Sequence, residues 1–310
     1  MKIVFLGSAD FGIAALQELI KLHTVVGVVS TPSRPKGRGL KLVESPVTSF
    51  ARKEALAPII TPDTLGDPAL VAQLKALEAD CFVVVAFRLL PKTIFAIPKY
   101  GTLNIHASML PKFRGPAPIH RAIEAGERQT GVTVFRIDEG VDTGEILQQS
   151  SIAIGEDETT PELYGRLSEL GAKTLISTLD HLAAGTCAPI EQKSQTGSKA
   201  PKLKKTEGLL DWHLPAYTLF NKIRAFKPFP GTYALFHGKR IGVEWAEPLH
   251  DSTATCQPGT VVKINKDSLD IQTGEGQLRI RMLKPEGKKS MAAGDYIRGS
   301  RLSEGDYFNE

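Results

Sequence analysis

Apolar and polar positions alternate along the first half of the chain in the pattern of an α/β domain. Continuous apolar runs at residues 2–6, 24–30 and 80–87 predict strands that are buried on both faces. Residues 69–79 and the segment around Leu16 place apolar side chains three or four positions apart, which predicts amphipathic helices. We therefore predict an N-terminal Rossmann-like, mostly parallel sheet flanked by helices.

The pattern changes in the last third of the chain. A long helix is predicted from Thr160 to about residue 185, and the polar residues 186–207, without periodicity, predict a basic linker. Short strand patterns with Gly and Asp or Asn turns between them then recur at regular spacing, at residues 233–237, 241–246, 260–264, 269–272 and 278–283. We expect a domain at 1–185, the linker at 186–207 and a small OB-like β-barrel at 208–310.

Composition narrows the class of protein. The chain has 310 residues, 42% hydrophobic and 23% charged, with a formal net charge of +4, so any nucleic-acid binding must come from local basic patches. Cys81, Cys187 and Cys256 lie far apart, which favours neither a zinc site nor a disulfide framework. The short apolar run at the start does not suit a signal peptide, so we expect a cytoplasmic protein.

The residues with the clearest chemistry lie between positions 101 and 147. Asn104 and His106 are two apart in a predicted strand, so their side chains should share a face. Asp142 follows the next predicted strand in a glycine-containing loop, and we expect it nearby because functional groups gather at the carboxyl ends of strands. The amide and a protonated imidazole could both donate hydrogen bonds to an oxyanion. A nearby carboxylate would favour the protonated form of the imidazole. Without an obvious nucleophile, the pattern favours attack by a substrate amine; a purely structural histidine is the alternative.

The order of motifs in this stretch resembles the folate-dependent formyltransferases. That family has Asn-x-His, then S-L-L-P-x-x-R-G, then D-T-G; the chain has NIH at 104–106, SMLPKFRG at 108–115 and DTG at 142–144. Residues 223–231 (IRAFKPFPG) and 285–291 (PEGKKSM) extend the similarity to the second half. Two segments depart from the family pattern: GSADF at 7–11, and the shorter FRLLP at 87–91.

The resemblance implies a function, a donor and site residues. It implies formyl transfer from 10-formyltetrahydrofolate, without a metal, with Asn104, His106 and Asp142 as catalytic residues. It also implies a folate-binding segment at Ser108, Met109, Leu110 and Pro111.

A basic segment at residues 34–41 indicates which molecule receives the formyl group. RPKGRGLK is similar to the insertion of the family branch that formylates initiator methionyl-tRNA, so the implied partner is that tRNA, bound by a monomer. The implied tRNA-binding residues, which include lysines of the linker, are Arg34, Lys36, Arg38, Lys41, Lys202, Lys204 and Lys205.

Three other functions remain open from the sequence. A formyltransferase acting on a free sugar or nucleotide amine, or a formyl-tetrahydrofolate hydrolase, would share the catalytic core but leave the basic segment unexplained. A tRNA-binding module with an inactive core would be expected to lack Asn104, His106 or Asp142, and all three are present.

Overall fold

The structure is a computed structural model that describes residues 1–36, 41–192, 197–249 and 256–309. The chain forms two compact units, and each is assembled from separate stretches of sequence. Unit 1 contains residues 1–118, 129–153 and 164–200, and unit 2 contains residues 119–128, 154–163 and 201–310. Within the described ranges, no helix is both long and apolar enough to cross a membrane.

Unit 1 is built on a sheet that is parallel over most of its width. Its strands and a small two-stranded ribbon are β1 (Lys2–Gly7), β2 (Thr24–Val29), β3 (Arg34–Lys36), β4 (Lys41–Val43), β5 (Ile59–Ile60), β6 (Cys81–Val85), β7 (Thr102–His106), β8 (Gln129–Arg136) and β9 (Ile146–Ala153). The order across the main sheet is β5-β2-β1-β6-β7-β8-β9, and β3 pairs with β4 alone. Neighbouring strands are parallel in the pairs β5–β2, β2–β1, β1–β6 and β6–β7. β8 pairs antiparallel with β7, and β9 pairs antiparallel with β8.

Helices of the first 183 residues are α1 (Ile13–Leu22), α2 (Pro46–Lys53), α3 (Pro68–Ala76), α4 (Lys92–Phe95), α5 (Pro118–Glu124) and α6 (Thr160–Ala183). Local chemistry explains where two of them start. Ser45 caps α2 by accepting a hydrogen bond from the Thr48 backbone N–H at 3.0 Å. Asp67 does the same for α3. Each cap is followed by a proline, whose missing N–H costs nothing in the first turn of a helix.

The core of unit 1 fills the space beside the central strands. Phe82 on β6 and Leu74 on α3 are fully buried in one cluster with Val4 and Leu6 of β1. Gly171 of α6 approaches the opposite face, since a Cβ there would lie 2.9 Å from Ile105 Cγ2 of β7. Because alternate residues of a strand point to opposite faces, Asn104 and His106 face away from α6.

Unit 2 is built on an antiparallel sheet. Its elements are α7 (Ala216–Ala225), β10 (Thr232–Phe236), β11 (Lys239–Leu249), β12 (Val261–Ile264), β13 (Leu269–Gln272), β14 (Gln277–Pro285), β15 (Met291–Ala292) and α8 (Ala293–Gly299). The strand order is β10-β11-β14-β13-β12, with β15 on β14. Alternate inward residues pack with Trp212 and Phe308 in one core. The predicted fold class, a Rossmann-like mostly parallel sheet flanked by helices with a small C-terminal OB-like β-barrel domain, is confirmed: a parallel-dominated sheet with flanking helices is followed by a domain of antiparallel strands.

The two short early segments of unit 2 are tied to its C-terminal part by polar contacts. Arg121 of α5 bonds Glu207 at 2.7 Å as well as its helix neighbour Glu124 at 2.7 Å. The buried Arg224 of α7 donates to the carbonyls of Gly155 and Glu158. These contacts explain how stretches so distant in sequence form one unit.

Candidate active site

The site forms where β7 ends. His106 is the last residue of β7 and is buried, with 6% of its surface exposed, whereas Asn104 is half-buried. His106 Nδ1 lies 3.7 Å from Asp142 Oδ2, an ion-pair distance, so the structure brings the predicted imidazole and carboxylate together. Within the described residues, no backbone or side-chain group hydrogen-bonds the Asn104 carboxamide.

A backbone carbonyl occupies the other ring nitrogen of His106. His106 Nε2 lies 2.9 Å from the Phe113 carbonyl oxygen, so this nitrogen carries a hydrogen and donates it. Phe113 has φ +58°, in the left-handed region that a bulky side chain seldom adopts. Ser198 Oγ accepts from the Phe113 backbone N–H at 2.9 Å and helps to hold this conformation. Both ring nitrogens of His106 thus face protein groups in this structure.

Asp142 is held by the backbone of the neighbouring loop. Its Oδ2 accepts a hydrogen bond from the Gly115 N–H at 2.8 Å, and its own φ is +55°. The loop must pass very close to β8, because a Cβ on Gly144 would lie 1.7 Å from the Arg136 carbonyl oxygen. Only glycine fits at this position, which explains the last residue of the D-T-G motif in steric terms.

The topology that brings Asp142 to His106 differs from the predicted one. β8 runs antiparallel to β7, and Arg136 at its carboxyl end pairs with Leu103 while Thr133 pairs with His106. The loop after β8 therefore leaves the sheet towards the amino end of β7 and has to fold back. The proximity of Asp142 was expected, but it does not come from a shared carboxyl edge.

The predicted folate segment is largely internal. Ser108 is fully buried and its hydroxyl donates to the Lys112 carbonyl at 2.6 Å, while Leu110 is 3% exposed. Met109 and Pro111 are half-buried. The side chains of Ser108 and Leu110 are therefore inaccessible from the surface, and those of Met109 and Pro111 are the more accessible part of the segment.

The predicted tRNA-binding residues divide between the two units. Arg34 and Lys41 are exposed on the β3–β4 ribbon of unit 1, and Lys202, Lys204 and Lys205 are exposed in unit 2. Lys36 belongs to β3, and Arg38 lies outside the described residues.

The segment predicted as a linker contributes to the site of unit 1. Ile190 exchanges two backbone hydrogen bonds with Ile146 of β9, both 2.8 Å long. Arg114 exchanges backbone bonds with Ser198 and Ala200, and Gln192 contacts the Asp142 loop. Sequence reasoning assigned no role to Phe113 or Gln192, because one looks like a core residue and the other lies in a polar stretch.

The fold and this site define the class of protein. Residues 1–179 match the formyl transferase family and residues 202–301 match the formyl transferase C-terminal domain. The chain belongs to the formyl transferase family. It is similar to the methionyl-tRNA formyltransferase of Geobacter metallireducens, with 40% identity over 307 residues that cover 98% of this chain and 97% of the relative.

Solved structures share the fold at low sequence identity. WlaRD, a sugar 3N-formyl transferase crystallised in the presence of dTDP and 5-N-formyl-THF, has a TM-score of 0.68 at 18% identity, covering 93% of this chain and 99% of WlaRD. A variant of HypX from Aquifex aeolicus has a TM-score of 0.64 at 20% identity, covering 98% of this chain but only 49% of HypX.

Proposed function

We propose that this chain transfers the formyl group of 10-formyltetrahydrofolate to the α-amine of methionine on initiator methionyl-tRNA. The observation that carries the proposal is the match, over nearly the whole of both chains, to a relative named methionyl-tRNA formyltransferase. The approach of His106 to Asp142 supports it, because this pair supplies the acid–base groups that such a transfer needs. Catalysis takes place in the cytoplasm, and the enzyme acts as a monomer.

The reaction begins when the methionine amine attacks the formyl carbon of the donor. A new N–C bond forms and the carbonyl oxygen becomes an oxyanion, to which the Asn104 amide donates a hydrogen bond. His106 Nε2–H joins it by exchanging the Phe113 carbonyl for the oxyanion, and the Asp142 carboxylate stabilises the positively charged ring.

Collapse of the tetrahedral intermediate breaks the bond between the formyl carbon and the folate nitrogen. The attacking amine loses a proton and the leaving folate nitrogen gains one, with Asp142 assisting this movement through water. Ser108, Met109, Leu110 and Pro111 shape the folate side of the site. Atoms and charges balance without any further reactant.

The acceptor would be held through its phosphates. Arg34, Lys41 and the three lysines at 202, 204 and 205 are exposed cations suited to backbone contacts, which position a nucleic acid without reading its bases. Lys36 and Arg38 belong to the same basic segment in sequence. Unit 1 would then supply the formyl-transfer site, and the antiparallel β-domain of unit 2, which includes residues 208–310, would bind the tRNA.

The test is formyl transfer to initiator and elongator methionyl-tRNA, measured side by side with 10-formyltetrahydrofolate. Transfer to the initiator alone supports both the chemistry and the acceptor. Folate turnover without tRNA formylation would keep the Asn104, His106 and Asp142 site and refute the acceptor.

Arg38→Ala should raise the KM for the tRNA and leave folate binding unchanged, and unaltered tRNA kinetics would remove Arg38 from the proposal.

A further inference from the structure

The side chain of Gln192 joins the two loops that form the His106–Asp142 pair. Its Nε2 donates to the carbonyl oxygens of Asp142, at 3.1 Å, and Gly144, at 2.7 Å. Its Oε1 accepts from Arg114 Nη2 at 2.6 Å and Nε at 3.2 Å. A carboxamide has two N–H donors and two acceptor lone pairs, so every position of the Gln192 amide is used.

The loop that contains Arg114 contacts both members of the pair. Phe113, on one side of Arg114, accepts the hydrogen bond of His106, and Gly115, on the other side, donates to the Asp142 carboxylate. Gln192 therefore fixes the main chain of the Asp142 loop to the loop whose backbone holds both functional side chains. Neither Gln192 nor Arg114 forms a hydrogen bond or an ion pair with the imidazole or the carboxylate itself.

The conformation of Asp142 makes such support necessary. A residue other than glycine at φ +55° is disfavoured by steric crowding and persists only where its surroundings impose it. The two N–H groups of Gln192 bind carbonyls within three residues of each other in this loop. The backbone just before Gln192 is also fixed to unit 1, because Ile190 exchanges two hydrogen bonds with Ile146 of β9.

We propose that Gln192, acting with Arg114, positions Asp142 against His106 for formyl transfer, an inference that rests on the proposed function only in assigning the chemistry to this pair. The two donor hydrogens are the essential feature. A carboxylate of the same shape could still pair with Arg114, but it would direct an acceptor oxygen at the Asp142 and Gly144 carbonyls and repel them.

The discriminating variant is Gln192→Glu, and the matched control is Glu191→Gln, the reverse isosteric change at an exposed neighbouring position. We expect Gln192→Glu to lower kcat by about 10- to 100-fold, as the loss of a group supporting a functional side chain does. The KM values for both substrates should stay within about twofold, because no binding group is removed. Glu191→Gln should leave kcat, both KM values and the unfolding midpoint unchanged.

A double variant separates positioning from a general loss of structure. If Gln192 acts through Asp142, Gln192→Glu should lower kcat by less than about twofold once Asp142 is already Asn, because interacting sites are not additive. Full additivity of the two changes, or a Gln192→Glu variant with normal kcat, would refute the proposal. So would a loss of kcat that parallels a lowered unfolding midpoint.

Crystal structures of the wild type and Gln192→Glu provide a test that needs no substrate. The His106 Nδ1 to Asp142 Oδ2 distance should increase by about 1 Å or more, a displacement large enough to cost catalysis on the order of 100-fold. An unchanged distance would overturn the positioning role even if the acceptor is a methionyl-tRNA. A lengthened distance in an enzyme that formylates no tRNA would refute the proposed function and preserve this one.

Discussion

Asp142 and Phe113 show how much of the site depends on single residues in unusual conformations. Both have positive φ values, +55° and +58°, and both direct a polar group at His106. The sequence predicted that Asn104 and His106 share a face, because strand alternation settles it. The contact with Asp142 was predicted by motif resemblance and by a topological argument that the antiparallel β8 does not support. Asp adopts the left-handed region more readily than Phe, but neither residue type marks the position where it occurs, so the geometry of these two residues could not be foreseen.

Asp142→Asn should lower kcat by about 100- to 10,000-fold, as removal of a group from an acid–base system does. The amide keeps the size of the side chain and can still accept the Gly115 hydrogen bond, but it has no charge to stabilise a protonated His106. Steady-state kinetics with both substrates measures the effect. Glu139→Gln, an exposed residue of the same loop, is the control, and near-normal turnover of Asp142→Asn would exclude Asp142 from the mechanism.

Strands and helices were predicted best where their pattern is regular. The buried runs that became β1, β2 and β6 and the long helix α6 were found, and the strands of the antiparallel sheet differ mainly at their ends. β9 was missed because the sequence ILQQSSIA lacks alternation, and its residues are mostly half-buried. The assignment of α5 to unit 2 could not be read from the sequence, since it depends on contacts made 80 residues later.

Arg121 links α5 to the C-terminal part of unit 2 through an ion pair with Glu207. Its side chain is 13% exposed and pairs with Glu124 and Glu207, so Arg121→Met should leave two carboxylates without their cation. We expect the free energy of unfolding of unit 2 to fall by about 1–3 kcal/mol, the usual cost of a polar group left unsatisfied. Urea unfolding followed by tryptophan fluorescence reports this, because Trp212 and Trp245 both lie in unit 2. Arg128→Met, at an exposed position nearby, should change little, and an equal effect of both variants would contradict the role given to Arg121.

His120, also on α5, should make stability depend on pH. Burial, with a smaller effect from the neighbouring Arg121 charge, lowers the pKa of His120 from 6.5 to about 4. Between these values the unfolded chain binds a proton that the folded chain does not, so stability is lost as the pH falls from 6.5 towards 4, by at most about 1.4 kcal/mol per pH unit. His120→Gln should flatten this slope in urea unfolding measured from pH 4.5 to 7.5. The exposed His181→Gln should keep the wild-type slope, and a His120→Gln slope equal to it would refute the effect.

The two compact units of the molecule cannot be separated by a single boundary in the sequence, because each contains several separate stretches of the chain. A predicted domain at 1–185 would contain residues 119–128 and 154–163, which the structure assigns to the other unit. Composition and periodicity report local structure, and they contain no information about which distant segment completes a core. The two-part character of the protein was predictable, whereas its interleaving was not.

A fragment of residues 1–200 should therefore fold incompletely. Ile119 and Ile123 are 5% and 0% exposed in the whole chain, and the segment that holds them is tied to residues 201–310. We expect the fragment to bind a hydrophobic dye and to lose amide protection at 119–128, with both effects reversed by co-expression with residues 201–310. Native-like protection at 119–128 in the isolated fragment would show that this segment does not need the C-terminal part.

The interleaved units also set an order for events on the ribosome. At about 5–20 residues per second, residues 201–310 follow the completion of residue 200 by roughly 5 to 20 seconds. During that interval the nascent chain holds all of unit 1, but Arg121 has yet to meet Glu207, and the carbonyls of Gly155 and Glu158 have yet to meet Arg224. Residues 119–128 and 154–163 of the growing polypeptide therefore remain unpaired, with their apolar side chains uncovered, until their partners are synthesised. We expect chaperones to bind the nascent chain at these two segments.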